Sequence, residues 1–322
     1  MRVLLVSSEW PTADRPDNAA YMVREVEFLR RAGIDVEVYT FRGAGDPRRY
    51  LGAWRDVRRR VRNDRFDVIH AHFGQAGVTA LGCRLPLVVT MHGSDLQGIV
   101  GDDGRYTMRG RVLRILSRFV ARVADRVIVV SDAVGRNVPK SVRYTVIPLG
   151  VDLDVFRELP KDGLREELGL APGRKLVLFA GRPDVPVKRY DLAQSVIALL
   201  DDIDVSLIVV SGQSPDTVAK YMNACDALLV TSLHEGSPTM VKEALACQLP
   251  VVSVDVGDVR KRIGGVPGCF VVPDDQPQTI AAALRNVLVR GSRSDASAAV
   301  TDIDARVTAR RVIDVYHEAA AR

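Results

Sequence analysis

The chain of 322 residues carries only four cysteines, Cys83, Cys225, Cys247 and Cys269, with no CxxC pair among them. That spacing argues against a disulfide framework and against a zinc ribbon or finger. Three of the four lie in apolar runs, so buried, reduced thiols are expected. Aromatic residues make up 6%, and no aromatic series accompanies the basic segments, so a nucleic-acid partner is not expected. No apolar run approaches the ~18–20 residues that cross a bilayer. The first residues, Met1-Arg2-Val3-Leu4-Leu5-Val6, enter a strand pattern at once, with no secretory leader. A cytoplasmic location is therefore expected. Low-complexity tracts are also missing, and the one repetition is a gross duplication of strand–helix units.

What is present fits a soluble two-domain protein. Hydrophobic residues make up 47% and charged residues 26%, and the length allows two cores of ordinary size. The net charge of +5 is uneven. Residues 1–152 hold 25 Lys and Arg against 17 Asp and Glu, and residues 153–322 hold 20 against 23, so the basic excess belongs to the first half.

Short runs rich in Val and Ile recur at Val3–Ser7, Asp35–Thr40, Asp67–His70, Leu85–Met91, Arg126–Val130 and Arg143–Pro148. After a boundary near residue 152 they resume at Lys175–Gly181, Val205–Val210, Ala227–Thr231, Val251–Val254 and Cys269–Val272. Helical patterns lie between them, as in Tyr21–Ala32 with Met22, Val26, Phe28 and Leu29. Alternation of this kind predicts two parallel, doubly wound α/β sheets. Ligands of such sheets sit beyond the carboxyl ends of the strands. The residues to watch there are Ser7–Glu9, His70–His72, His92–Asp95 and Ser131.

One stretch organises the second half. Ala227–Thr231 reads as a buried strand, Glu235-Gly236-Ser237-Pro238 as a tight connection, and Thr239–Cys247 as a helix. Ser237 and Pro238 are predicted as its N-cap and first helical residue. The N–H groups of Thr239, Met240 and Val241 then face outward with the positive helix end behind them, a site for a diphosphate. Gly181–Arg189 follows the first strand of this half, and Arg182 and Lys188 supply a forked and a movable cation suited to the same group. From residue types alone, Glu235 could equally be a loop acid, Glu243 a solvated helix face, and the basic loop a solvated one.

Glu235 and Glu243 with seven residues between them, around Gly236-Ser237-Pro238 and ahead of Ala244-Leu245-Ala246-Cys247 and Leu249-Pro250-Val251-Val252, strongly resemble the donor-site motif of the retaining glycosyltransferases of family 4. The resemblance implies the GT-B fold, two Rossmann-like doubly wound parallel-sheet domains facing across a cleft. Residues 1–152 would be the acceptor domain, 153–304 a shortened nucleotide-sugar domain, and 305–322 a helix crossing back to the first. It implies transfer with retention from a nucleotide-sugar, a UDP-sugar before GDP-mannose. The acceptor would be a glycan, lipid-linked or small-molecule hydroxyl.

The reaction would need no metal or other cofactor, and the leaving phosphate would help deprotonate the acceptor at the front face. By the same resemblance Glu243 binds the ribose hydroxyls and Glu235 the sugar hydroxyls. Arg182 and Lys188, with backbone N–H groups between Ser237 and Val241, hold the diphosphate, and His92 meets the transferred sugar. Asn18, Tyr21, His72, Ser94 and Asp95 fall on the acceptor side. His70 and His72 can face one way, which raises a metal, yet no third ligand is evident.

Three departures stand out. Arg189 follows Lys188 where the family commonly has glycine. The segment 15–21 lacks the Gly-Gly loop that often follows the first strand. The connection Ser211–Asp216 is also short where the family usually has a further strand–helix unit. These features keep a non-catalytic GT-B partner open as an alternative, with a nucleotide-sugar 2-epimerase-type enzyme as another. The basic stretches Trp54–Arg62 and Tyr106–Ala124 read first as amphipathic helices packed on a sheet. In the second, Val112, Ile115, Leu116, Phe119, Val120 and Val123 are expected to face inward. The alternative for both is a peripheral contact with an anionic membrane, at its inner face.

Overall fold

The computed structural model describes residues 1–13, 15, 18–43, 46–101, 105–161 and 163–321. Its elements run β1 (Arg2–Ser7), α1 (Ala20–Arg31), β2 (Asp35–Thr40), α2 (Pro47–Asn63), β3 (Val68–His72), α3 (Gly74–Gly77), β4 (Leu87–Met91), α4 (Ser94–Gln97), α5 (Met108–Val123), β5 (Arg126–Val129), α6 (Asp132–Gly135) and β6 (Thr145–Val146). There follow α7 (Leu164–Glu167), β7 (Lys175–Ala180), α8 (Tyr190–Ala198), β8 (Val205–Val210), α9 (Pro215–Ala224), β9 (Ala227–Val230) and α10 (Thr239–Ala246). The chain closes with β10 (Val251–Ser253), α11 (Val259–Ile263), β11 (Phe270–Val271), α12 (Pro277–Arg290), α13 (Ser297–Val300) and α14 (Ala305–Ala320). Among the described residues no helix is long and apolar enough to cross a membrane.

Contacts divide the chain into Met1–Gly150 with Ala305–Arg322, and Val151–Asp304. In the first unit six parallel strands lie in the order β2-β1-β3-β4-β5-β6. Val3, Leu4, Leu5 and Val6 are all fully buried, because helices cover both faces and a strand so placed needs apolar residues at every position. On one face α1 and α14 pack with Val3, Leu5, Val68 and Val88. The other face holds Val57 of α2, Ala76 of α3, and Val120 and Ala121 of α5. Helix α14 belongs here because Ala305, Ala309, Val312, Val315, Tyr316 and Ala319 form a buried stripe at helical spacing.

In the second unit five parallel strands lie in the order β11-β10-β9-β7-β8. Both sheets reverse their winding at the first strand, between β1 and β3 and between β7 and β9. Loops diverge there and leave a crevice at the carboxyl ends. In the second sheet the crevice is bounded by the loops after Ala180 and Val230. The connection from β8 to α9 is four residues, Ser211–Ser214, with Ser214 Oγ capping Thr217 N at 3.2 Å.

Helix α5 corrects one expectation. Its buried residues are Gly110, Ser117, Val120 and Ala121, while Val112, Ile115, Leu116, Phe119 and Val123 are exposed. The reason is close packing on α3. A Cβ built at Gly74 would lie 2.3 Å from Ser117 Oγ, and one at Gly77 would lie 2.5 Å from Val120 Cγ1. Ser117 and Val120 of α5 meet glycines on α3, and the rest of the bulky apolar side is turned away.

Candidate functional site

In the second unit the crevice between β7 and β9 gathers most of the expected donor residues. After β7 the chain passes Gly181 and Arg182 into a 3₁₀ turn, Pro186–Lys188. Lys188 Nζ lies 2.7 Å from Glu235 Oε1, with side chains 19% and 18% exposed. Arg182 makes a forked contact with Asp184, Nε to Oδ1 being 3.0 Å. The two loops are fastened through their backbones. Leu233 N donates to Val187 O at 2.8 Å, and Thr231 Oγ1 donates to Lys188 O at 2.8 Å. Lys188 therefore stands on a fixed turn and already holds an anionic oxygen.

Arg189 explains the missing glycine. Its φ of 50° and ψ of 56° place it in the left-handed region, where a side chain costs about 1–2 kcal/mol. The guanidinium offsets that cost by donating to Thr231 O at 2.6 Å and pairing with Asp275. Ala19 is the parallel case in the first unit, at φ 52° and ψ 32°. The glycine-requiring backbone persists there without glycine; Pro16 and Asp17 of that loop lie outside the described residues.

The start of α10 corrects another expectation. Pro238 is the N-cap residue and makes no side-chain cap, and the helix begins at Thr239. Ser237 does not cap. Its Oγ donates to Asp258 Oδ2 at 2.8 Å and accepts from Lys242 Nζ. Lys242, in a helix read as polar at that position, is fully buried, 3.6 Å from Asp258. Arg262 Nε lies 3.7 Å from Asp258, and Arg262 Nη1 donates to Asp302 at 2.7 Å. Burial pulls the Lys242 ammonium down to about 8, against the attraction of Asp258. Gly257, at φ 60°, packs so closely that a Cβ would lie 3.1 Å from Gly236 O. This network clamps Gly236-Ser237-Pro238 from beneath and leaves the first-turn N–H groups of α10, from Thr239 to Val241, without intrahelical acceptors. Met240 is half-buried and Val241 buried; Glu243, inside the helix, is 7% exposed.

The first unit holds a second cluster at the ends of β3 and β4. The buried His92 ring has Nε2 3.0 Å from His72 Nδ1 and packs on Tyr21 and Phe73 with centroids 5.2 and 4.4 Å away. Its Nδ1 has no hydrogen-bond partner among the described residues. Burial, then His72, holds His92 well below the usual histidine range, which favours the neutral ring. Asp95, expected toward the acceptor, is turned fully inward. It accepts from Gly93 N at 2.9 Å, Gly74 N at 3.1 Å and His92 N at 3.2 Å, which makes it the residue that sets the His92 loop. Burial raises its pKa against those three donors. Ser94 is exposed at the start of α4. Asn18 Nδ2 donates to Glu9 Oε2 at 3.0 Å.

His70 is fully buried, with Tyr316 Oη 2.6 Å from Nδ1 and Thr90 Oγ1 2.7 Å from Nε2. His72 Nε2 lies 3.3 Å from Glu25 Oε1. Glu25 thus supplies the third potential metal ligand that spacing did not show, all three ligand atoms lying within 4.8 Å of one another. Both ring nitrogens of His70 are engaged, so a cation would have to displace a hydroxyl. Glu25 had a sequence signal: it falls between Met22 and Leu29 on the apolar side of α1. Tyr316 and Asp258 had none, being joined to their partners only by the fold.

Burial lowers the His70 pKa far below 6.5, His72 and His92 adding to it. In the unfolded chain His70 takes a proton near pH 6.5. Its contribution to stability is therefore complete above pH 6.5 and is lost progressively as pH falls below it. A thermal melt from pH 7.5 to 5 should show the loss. The slope should be shallower in His70→Gln, and equal slopes would mean that His70 does not titrate on unfolding.

Residues 2–155 match the family described as Glycosyltransferase Family 4, and residues 198–290 match Glycosyl transferases group 1. A protein of Bacillus subtilis named as a teichuronic acid biosynthesis glycosyltransferase, TuaC, is 26% identical over 351 residues, covering 88% of each chain. A D-inositol 3-phosphate glycosyltransferase of Thermobispora bispora is 30% identical over 314 residues, covering 80% of this chain and 72% of the relative. Among solved structures, sucrose-phosphate synthase from Thermosynechococcus elongatus superposes with a TM-score of 0.87 at 16% identity, over 100% of this chain and 99% of the other. Anabaena HepE in complex with UDP and glucose gives 0.72 at 17% identity, over 98% and 99%.

Proposed function

We propose, from the premise that this chain belongs to the glycosyltransferases of family 4 and has the GT-B fold, that it transfers a sugar from a nucleotide-sugar to an acceptor hydroxyl with retention at the anomeric carbon. The observation that carries the donor half is that Arg182 and Lys188 lie on the loop after β7, which is hydrogen-bonded through Val187 and Lys188 to the loop that leads from β9 into α10. Two cations and a helix N-terminus at a sheet's switch point form a diphosphate site. A UDP-sugar is the first reading of the donor, supported by HepE, a structural neighbour solved with UDP and glucose; GDP-mannose is the second.

In this reading the bond from the anomeric carbon to the diphosphate oxygen breaks as the acceptor oxygen bonds to the same carbon. The acceptor proton passes to the leaving diphosphate, so no protein base is consumed. Lys188 and Arg182 stabilise charge as it collects on that leaving group. Glu243 holds ribose hydroxyls, Glu235 sugar hydroxyls, and neutral His92 gives or takes a hydrogen bond at the sugar. Protein cations stand where other transferases use a metal. The acceptor, a glycan, lipid-linked or small-molecule hydroxyl, is read onto the first unit, near Asn18, Tyr21, His72 and Ser94, and the location is read as cytoplasmic.

The test is a thermal-shift panel with UDP, GDP, ADP and dTDP and their sugar conjugates. At 100 times its dissociation constant a ligand adds about 2.7 kcal/mol, and UDP is expected to stand out. Glu243→Ala should abolish most of that shift and most transfer while the fold is kept; near-normal turnover would mean that the donor site is misplaced. The short β8–α9 connection favours one competing reading, a GT-B partner without catalysis. An absent shift with every nucleotide would decide for it.

A further inference from the structure

Helix α5 presents its large apolar side chains outward, the reverse of an ordinary surface helix. Met108 and Ile115 are each 69% exposed, Val112 53%, Phe119 50%, Val123 45% and Leu116 41%. At 100° per residue these six fall on one face, opposite Gly110, Ser117, Val120 and Ala121, which are buried against the unit. Ile99 and Tyr106, in the segment leading to the helix, add two more exposed apolar side chains. Scattered exposed apolar residues are ordinary, whereas a continuous stripe of this kind marks a contact surface.

The charge of the helix says what covers it. Arg111, Arg114, Arg118 and Arg122 follow one edge of the stripe, Arg109 lies on the other, and the helix contains no acidic residue. Among the described residues none of these five arginines forms an ion pair. The other basic helix, α2, differs. Arg59 pairs with Asp56, Arg60 pairs with Glu37, and Arg58 lies over the Trp54 ring and donates to Gly82 O at 3.2 Å. These three α2 arginines are held within the unit, while those of α5 meet no acidic partner among the described residues beside the apolar face, Arg111 contacting only Met108 Sδ and Arg122 the Arg118 carbonyl.

We propose that the outward face of α5 docks on an anionic lipid bilayer. Met108, Val112, Ile115, Leu116, Phe119 and Val123 enter the headgroup boundary, and the arginines reach the lipid phosphates along its edge. Capping of the helix by Thr107, whose Oγ1 accepts from Gly110 N at 3.1 Å, and its close packing on α3 keep that face preformed. The surface belongs to the first unit and the expected donor residues to the second, and its test needs no sugar transfer.

The experiment uses the full chain with sedimented vesicles of phosphatidylcholine, with and without about one-third phosphatidylglycerol. Binding is expected with the anionic vesicles, to weaken as salt is raised, and to be slight with the neutral ones. Ile115→Asp with Phe119→Asp, both at exposed sites, should lower the partition coefficient about tenfold or more. Arg111→Glu with Arg118→Glu should do the same, whereas Arg58→Glu with Arg59→Glu should have a smaller effect. Phe119→Trp keeps the apolar face and reports on it independently of the aspartate variants, its emission shifting to the blue on adding anionic vesicles. Vesicle binding that ignores the α5 changes, or a tryptophan whose emission does not move, overturns the proposal. So does a chain that ignores vesicles and sediments as a dimer that the aspartate variants dissociate, since a second copy would then cover the face.

Discussion

Lys188→Ala is expected to lower kcat/KM for sugar transfer by roughly 10²–10³-fold, the range seen when one preorganised charge-stabilising donor is removed from a site. Most of the loss should fall on kcat, because negative charge on the leaving diphosphate grows as the transition state forms. The ammonium is well placed for that. Its turn is pinned by the hydrogen bonds from Leu233 N to Val187 O and from Thr231 Oγ1 to Lys188 O, so little reorganisation accompanies the reaction. The pair with Glu235, both about one-fifth exposed, contributes about 1 kcal/mol to folding, so the melting temperature should move little. Lys188→Arg should restore only part of the rate, since a fork cannot reproduce a point charge on a short turn. Steady-state kinetics on the donor found by the thermal-shift panel, beside melts of each variant, checks this. A variant with normal kcat would remove Lys188 from the leaving-group site.

The second large effect is on stability. Lys242→Met keeps the side chain's length but takes away the partner of a buried carboxylate, leaving Asp258 with Ser237 Oγ at 2.8 Å and Arg262 Nε at 3.7 Å. Removing one member of a buried pair costs about 3–5 kcal/mol. At about 2–4 °C per kcal/mol for a domain of this size, the melting temperature should fall by roughly 6–20 °C. Lys242→Met with Asp258→Asn should recover much of that, because no charge is then left alone. The sign with pH is a further check. Lys242 is held at about 8 against an ordinary 10.5, so between those values the unfolded chain carries the extra proton. Raising the pH through that window therefore favours the folded parent, and its margin over Lys242→Met should widen from pH 7.5 to 10. A margin that stays constant would mean that Lys242 is not the group that titrates.

Both sheets could be read from the chain because each strand is a short Val- and Ile-rich run, as a strand covered on both faces has to be. The crevice between β7 and β9 could be located because its pieces are local, a Gly-Arg loop after one strand and Glu-Gly-Ser-Pro after another. What escaped joins distant residues. Lys242 reads as the polar face of α10 until Asp258, on a loop after another strand, is brought 3.6 Å from it. His70 is completed by Tyr316, 246 residues away. Periodicity showed that α5 has two faces but not which one is inward, and there the usual rule failed. Close approach needs a small residue on at least one side, and Gly74 and Gly77 of α3 admit Ser117 and Val120 of α5. Arg189 was visible as a departure from glycine, whereas the hydrogen bonds that make it tolerable were not.

Helix α14, the last element, belongs to the unit formed by the first 150 residues. A ribosome delivers the chain from its amino end, and domains tend to fold as they emerge. The intervening unit, Val151–Asp304, is contiguous in the chain and can close as soon as it is out. The opening unit has to wait. Until Ala305–Ala320 emerges, the face made by Val3, Leu5, Val68 and Val88 lacks the cover of Val312, Val315 and Tyr316, and the His70 ring lacks the Tyr316 hydroxyl. The unit begun first is therefore completed only after the intervening one, and a message cut before Ala305 yields a folded second unit attached to an unfinished first unit.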